Sequence, residues 1–272
     1  MSVETPDFYL EQTSYTAIRD KYAPLYASLP DSVEEMCRLI KCQLLHPSMM
    51  KELAGQLPPG RRCEDDVYVT ASEILGGLVR RNPAGLVFER TPAERLILTC
   101  RHHAVLLASM LRAKEIPARV RVGFCAYVSA PNSLLHTDHW ICEVWNALES
   151  RWMFVDPDIS RVDFPRDEFE LAGAVWKRAR KRKVDPKLYG AGNRTGIALI
   201  RANLIHDFDC LLGGEEMYQE GPPLLRLKAK EIGDRVLNLL DEMAEATAGA
   251  VDVERLRVLR EGYAELAYPD LT

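Results

Sequence analysis

The chain has 272 residues, is 47% hydrophobic and 28% charged, and carries a formal net charge of −5. That length can bury a sizeable core, and the mild acidity gives no case for nucleic acid or an anionic membrane as partner. No apolar run of ~18 residues predicts a transmembrane helix, and Met1–Tyr9 lacks the basic and apolar regions of a secretory leader, so a cytoplasmic location is expected.

Up to about residue 90 the pattern is helical. Tyr15, Ile18 and Tyr22 recur at helical spacing up to Pro24. Asp31 stands three residues before Glu34, a variant capping box, and predicts a helix carrying Val33, Met36, Cys37, Ile40 and Leu44 to the stop before Pro47. Gln56–Arg62 is a predicted loop, and Asp65 or Asp66 a predicted cap for a third helix bearing Val67, Ala71, Ile74, Leu75 and Leu78 and ending at Asn82-Pro83.

The pattern then changes. Thr99 is a plausible N-cap for a helix from Cys100 to Ala113, whose stripe of Ala104, Leu107, Ala108 and Leu111 includes Cys100 one turn earlier. Ile116-Pro117 ends it. From Ala118 a period of two places Val120, Val122, Phe124 and Ala126 on one face and Arg119, Arg121, Cys125 and Tyr127 on the other, where Arg119 and Arg121 are expected to be solvated. After a loop over Ser129–Asp138, two strands follow, His139–Trp145 and Trp152–Asp156. The rest reads as mainly helical, over Glu168–Arg182, Thr195–Phe208, Leu224–Ala246 and Val253–Ala267. One block of strands among helices predicts the α+β class rather than βαβ alternation. The expected regions are a helical 1–90, a catalytic core at 91–165 and a helical 166–272, packed as one unit.

Seven cysteines (Cys37, Cys42, Cys63, Cys100, Cys125, Cys142, Cys210), an odd number without a CxxC, predict free thiols and neither a disulfide framework nor a zinc knuckle. Cys100 differs from the others in opening a helix, where unpaired N–H groups and the macrodipole favour a thiolate. An imidazole beside it could take and return the proton, and a carboxylate behind that ring would fix its tautomer. His139 and Asp156 are the candidates. Three registers are open to their tight hairpin. One sets His139 opposite Asp156; another sets Ile141 opposite Asp156, with His139 diagonal on the same face; the third separates them.

Cys100-Arg-His-His-Ala104, Leu111-Arg-Ala-Lys-Glu-Ile-Pro-Ala-Arg-Val120, Gly123-Phe124, His139-Trp140 with Glu143-Val144, and Trp152 with Val155-Asp156-Pro157 together resemble the core of the transglutaminase-like superfamily over about residues 95–160. The resemblance implies a papain-like core: a small antiparallel sheet packed on the nucleophile helix, here with added N- and C-terminal helices. It also implies a nucleophile at Cys100, an acid/base at His139 and an orienting carboxylate at Asp156. The pattern departs at His102 and His103, where the superfamily commonly has small or polar residues.

The implied function is cysteine-dependent acyl transfer from an amide or thioester through an acyl-thioester, to an amine or to water. The alternative is a catalytically silent scaffold of the same fold. The acyl donor would be a small molecule or peptide, with an amine acceptor or a carrier protein as further partner; no cofactor and no metal are expected. Candidates for substrate contact are His103, Trp140, Arg121 and Asn203, the last in a polar segment with His206, Asp207 and Asp209. Buried polar groups of that kind need partners. The basic cluster Lys177–Lys183 reads first as a solvated helix end and second as a site for an acidic substrate or carrier.

Overall fold

A computed structural model describes residues 6–267, with side chains through residue 262; the first five residues of the Met1–Tyr9 stretch lie outside the described residues. In chain order the helices are α1 (Ala23–Tyr26), α2 (Val33–Gln43), α3 (Ala71–Arg81), α4 (Cys100–Ala113), α5 (Ala172–Arg180), α6 (Ile197–Cys210), α7 (Asp234–Thr247) and α8 (Val253–Ala267). The strands are β1 (Leu44–Leu45), β2 (Leu96–Ile97), β3 (Ala118–Cys125), β4 (His136–Asn146), β5 (Arg151–Asp156), β6 (Arg161–Val162), β7 (Phe169–Leu171), β8 (Tyr189–Ala191) and β9 (Arg194–Thr195). The class is α+β. Among the described residues no helix is long and apolar enough to cross a membrane. All seven cysteines are free thiols.

Two compact units result, one of Pro6–Val120 with Trp140–Phe164, the other of Arg121–His139 with the chain from Pro165 onward. β3 and β4 each run from one unit into the other.

The first unit is built around α4, which is buried on every side from Cys100 to Arg112. Its polar residues Arg101, His102, His103, Ser109 and Arg112 are buried with the apolar ones, and α2 and α3 pack against it. From the sheet, the Cys142 thiol of β4 donates to the Ala104 carbonyl of α4 at 3.2 Å. That bond sets β4 against α4, the side on which the sequence reading expects the sheet. At its far end α4 is closed by Glu115 in the left-handed region (φ 58°) and by Ile116 N–H donating to Leu111 O at 2.9 Å.

β5 lies between β4 and β6, and β3 is β4's other neighbour. In the β4–β5 hairpin Cys142 faces Val155 and Trp145 faces Trp152. Continued by one residue, that ladder sets Ile141 opposite Asp156, the second of the three registers.

Helix starts correct the sequence reading in two places. α2 is capped by Ser32, whose hydroxyl accepts Glu35 N–H, and not by Asp31; the Asp31 carboxylate pairs instead with Lys114. α3 starts at a full capping box, Thr70 with Glu73, five residues beyond Asp65. The spacing of Tyr15, Ile18 and Tyr22 does not produce an α-helix through them; only Asp20–Tyr22 forms a short 3-10 helix. Thr13 and Thr16 exchange side-chain and backbone hydrogen bonds at 2.8 and 3.2 Å, which offers the backbone an alternative to the helical ladder.

In the second unit β3 pairs antiparallel with β7, setting Gly123 opposite Leu171. A Cβ on Gly123 would lie 2.3 Å from the Glu170 carbonyl oxygen, so this close strand approach requires glycine. β4 begins at His136, earlier than expected, because His136 and Thr137 pair in parallel with Tyr189 and Gly190 of β8; β8 in turn pairs with β9. The reading of 166–272 as mainly helical thus missed β7, β8 and β9, whose two or three residues are too few to display a period of two. α5, α6 and α7 pack on one another.

Arg119 and Arg121 are buried, against the expectation of solvation. In the first unit Arg119 Nε donates to Glu143 Oε2 at 2.7 Å, with its guanidinium over the Trp152 ring at 4.1 Å. In the second, Arg121 grips Asp207 through Nε and Nη2, both at 2.9 Å. β3 is covered on both faces throughout its length. Its alternating arginines therefore mark interior ion pairs with acids distant in sequence. Three of the six basic residues in the cluster are also paired: Lys177 with Glu245, Arg178 with Glu170, and Arg180 with Asp241.

Candidate active site

Cys100 is the first residue of α4 and is 6% exposed. The chain reaches it through β2, which pairs in parallel with β1, and through Leu98, whose N–H donates to Leu45 O at 3.0 Å. Thr99 takes the extended conformation of an N-cap (φ −76°, ψ 172°), but its side chain makes no capping hydrogen bond. The hydroxyl instead donates to Asp65 Oδ2 at 2.7 Å, and Thr99 N–H donates to Asp65 Oδ1 at 2.9 Å.

His102 and His103, the two residues at which the sequence departs from the superfamily pattern, are both enclosed. His102 Nδ1 lies 3.3 Å from Asp65 Oδ1, while its Nε2 is buried without a hydrogen-bond partner. Burial, helped by the adjacent Arg101 charge, lowers its pKa to about 3. His103 Nδ1–H donates to Thr99 O at 3.0 Å, and its Nε2 lies 3.7 Å from Asp158 Oδ1. Burial lowers the His103 pKa as well. His103 thus links the start of α4 to the turn after β5. In that turn Asp156, fully buried at the end of β5, accepts Asp158 N–H at 3.0 Å. Cys37 of α2 lies near enough that Asp156, after burial itself, helps hold that thiol at about 12.

A pH dependence follows from His102. Its folded-state pKa lies below the unfolded value near 6.5, so the unfolded chain takes up the proton first as the pH falls. Stability from this group is therefore present above pH ~6.5 and is lost progressively toward pH ~3. In urea unfolding between pH 7 and pH 4, His102→Gln should flatten the acid-side fall. An unchanged slope would remove His102 as its cause.

In the second unit His139 is 2% exposed on β4, with the Tyr127 ring edge-on at 6.0 Å between centroids. Asp138, whose pKa is raised by burial, is its neighbour on the strand. His136 Nδ1 pairs with Glu170 Oε1 at 2.5 Å and its ring stacks on Tyr189 at 4.8 Å. Of the residues proposed for substrate contact, Trp140 is wholly buried, and Arg121 is committed to Asp207 and to Thr247 O at 2.7 Å. Asn203 Nδ2 lies 3.5 Å from Gly123 O.

Asp65 is the residue that sequence reasoning misplaced. The signal lay in Thr70-x-x-Glu73: that capping box places the start of α3 at residue 70 and frees Asp65 for another partner.

Among known proteins, residues 87–157 match the model of the Transglutaminase-like superfamily. A solved structure described as a "Putative Cysteine Protease from Cytophaga hutchinsonii" is similar at 15% identity and a TM-score of 0.36, over 62% of this chain and 46% of that chain. The similarity thus spans less than half of that neighbour's length. No curated protein is significantly similar to this chain. What the central segment of this chain, residues 87–157, is similar to is the transglutaminase-like superfamily, a cysteine-based enzyme family.

Proposed function

We propose that this protein is a cysteine-dependent acyl-transfer enzyme in which Cys100 is the nucleophile, His139 the acid/base and Asp156 the carboxylate that orients the imidazole. The observation that carries the reading is the place of Cys100, the first residue of a helix buried from Cys100 to Arg112 inside the segment similar to a cysteine-enzyme superfamily. The β4–β5 register supports it, being one of the two that give His139 and Asp156 the same strand parity.

The chemistry follows from these roles. The helix start and the imidazole favour the Cys100 thiolate. Its sulfur attacks an amide or thioester carbonyl, and the tetrahedral oxyanion is met by the Cys100 N–H as first donor. Collapse expels an amine or thiol, which takes its proton from His139, and leaves an acyl-thioester on Cys100. An amine or water, deprotonated by His139, then attacks the thioester and regenerates the thiol. The acyl donor is a small molecule or peptide, the acceptor an amine, a carrier protein or water, and the location cytoplasmic.

The test is iodoacetamide labelling across pH, followed by mass spectrometry. Cys100 should label selectively, with an apparent pKa well below the ordinary ~8.5. Cys37 and Cys63, held by burial at about 12 and about 11, serve as internal controls. Labelling of Cys100 no faster than the other cysteines would leave the scaffold reading. The role of Asp156 has its own check: Asp156→Asn should slow acylation by p-nitrophenyl acetate on the order of 10²–10⁴-fold, through the wrong histidine tautomer. An unchanged acylation rate removes Asp156 from the mechanism.

A further inference from the structure

The segment Glu64–Val69 runs alongside Ile97–Arg101 and holds it at five points, all within the unit built around α4. Glu64 N–H donates to Ile97 O at 2.8 Å, and Glu64 Oε2 accepts Ile97 N–H at 3.0 Å. Asp65 accepts both donors of Thr99, the N–H at 2.9 Å and the hydroxyl at 2.7 Å. Val69 O accepts Arg101 Nη1 at 2.9 Å. Glu64 is braced in turn by Arg61 at 3.2 Å and by Arg81. The residues before and after Cys100 are thus both tied to one short stretch of chain.

We propose that Asp65 is a positioning residue for the Cys100 nucleophile, its carboxylate fixing both hydrogen-bond donors of the preceding residue and so the direction in which α4 starts. This rests on Cys100 being the nucleophile. The argument begins with Thr99. A threonine at an N-cap ordinarily turns its hydroxyl back to accept a first-turn N–H. Here the hydroxyl is turned outward as a donor to Asp65, and no capping bond forms. Asp65 therefore sets the rotamer of Thr99 as well as its backbone, and through them the heading of the Cys100 Cα–Cβ bond.

The clamp has an electrostatic consequence. A carboxylate bonded to the residue that precedes the thiol opposes the thiolate. Of the other groups at this end of α4, Arg101 acts in the opposite sense, while His102 and His103 are neutral near pH 7 because burial lowers both. Asp158 and Asp156 are further acids near His103, and His46 is a further imidazole there. Removing the Asp65 charge should therefore lower the Cys100 pKa even as it loosens the helix start. A merely structural residue would not produce that combination.

The experiment compares wild type, Asp65→Asn and Asp65→Ala by two readouts: the pH profile of iodoacetamide alkylation at Cys100, and hydrogen exchange of peptides spanning 97–103. Both variants should lower the apparent Cys100 pKa by about one unit, a roughly tenfold gain in alkylation below the pKa. Asp65→Ala should in addition speed exchange in 97–103 at least about tenfold while α2 and α3 keep their protection. Asp65→Asn retains an acceptor for Thr99 N–H and carries the test if the alanine variant does not fold. Superimposable alkylation profiles in wild type and folded variants overturn the proposal. A wild-type Cys100 no more reactive than the other cysteines instead overturns the nucleophile assignment on which it rests.

Discussion

Cys100→Ala is expected to abolish acylation by an activated ester such as p-nitrophenyl acetate, with a loss of at least ~10⁴-fold, because no other group in the mechanism can form the covalent bond. The fold should survive. Cys100 is nearly buried, at 6% exposure, and removing its sulfur to leave the alanine methyl takes away little volume, at a cost of about 1 kcal/mol. Mass spectrometry of wild type should find the acyl group on the tryptic peptide containing Cys100, and none in the variant. The nucleophile assignment fails if Cys100→Ala acylates at the wild-type rate, or if the adduct sits on another cysteine. Cys37 is the informative comparison, since burial and the nearby Asp156 hold its thiol at about 12 and keep it protonated.

Asp207→Ala is expected to be the most destabilising single change, costing about 3–5 kcal/mol, because it strands a buried guanidinium. Arg121 and Asp207 are both fully buried and share two hydrogen bonds of 2.9 Å. Asp207 also accepts Val122 N–H at 2.8 Å, and Arg121 donates to Thr247 O at 2.7 Å. One pair thus ties β3 to α6 and to the end of α7. Removing both charges together, as Arg121→Met with Asp207→Leu, should recover much of the loss, since the desolvation penalty disappears with the attraction. Guanidinium unfolding of the two single variants and the double variant gives the coupling. A cost below ~1 kcal/mol for Asp207→Ala would show that the pair is dispensable.

The same pair shows where reading a sequence stops. Alternation along β3 marks Arg119 and Arg121 as the polar face of a strand, and a polar face is ordinarily wet. Their partners Glu143 and Asp207 lie 24 and 86 residues further on, and nothing local announces that an acid will arrive there. Asp65 was hidden for a related reason. An acid before an apolar run looks like a helix cap, and only the stronger capping box at Thr70 and Glu73 releases it for Thr99. Short strands were the third blind spot, because β7, β8 and β9 owe their extended backbone to neighbours brought up by the fold.

By itself the sequence determined the α+β class, the span of α4 from Cys100 to Ala113, the place of Thr99 at its N-cap and the β4–β5 hairpin. Those features rest on periodicity, capping chemistry and tight turns, which act over a few residues and are written in adjacent letters. Tertiary structure alone decided that His102 and His103 are enclosed, that two arginines of β3 are neutralised indoors, and that Asp65 holds Thr99, the residue before Cys100. These outcomes depend on which distant charges meet in a medium of low dielectric. That is settled by the path of the whole chain, and no window of neighbouring residues contains it.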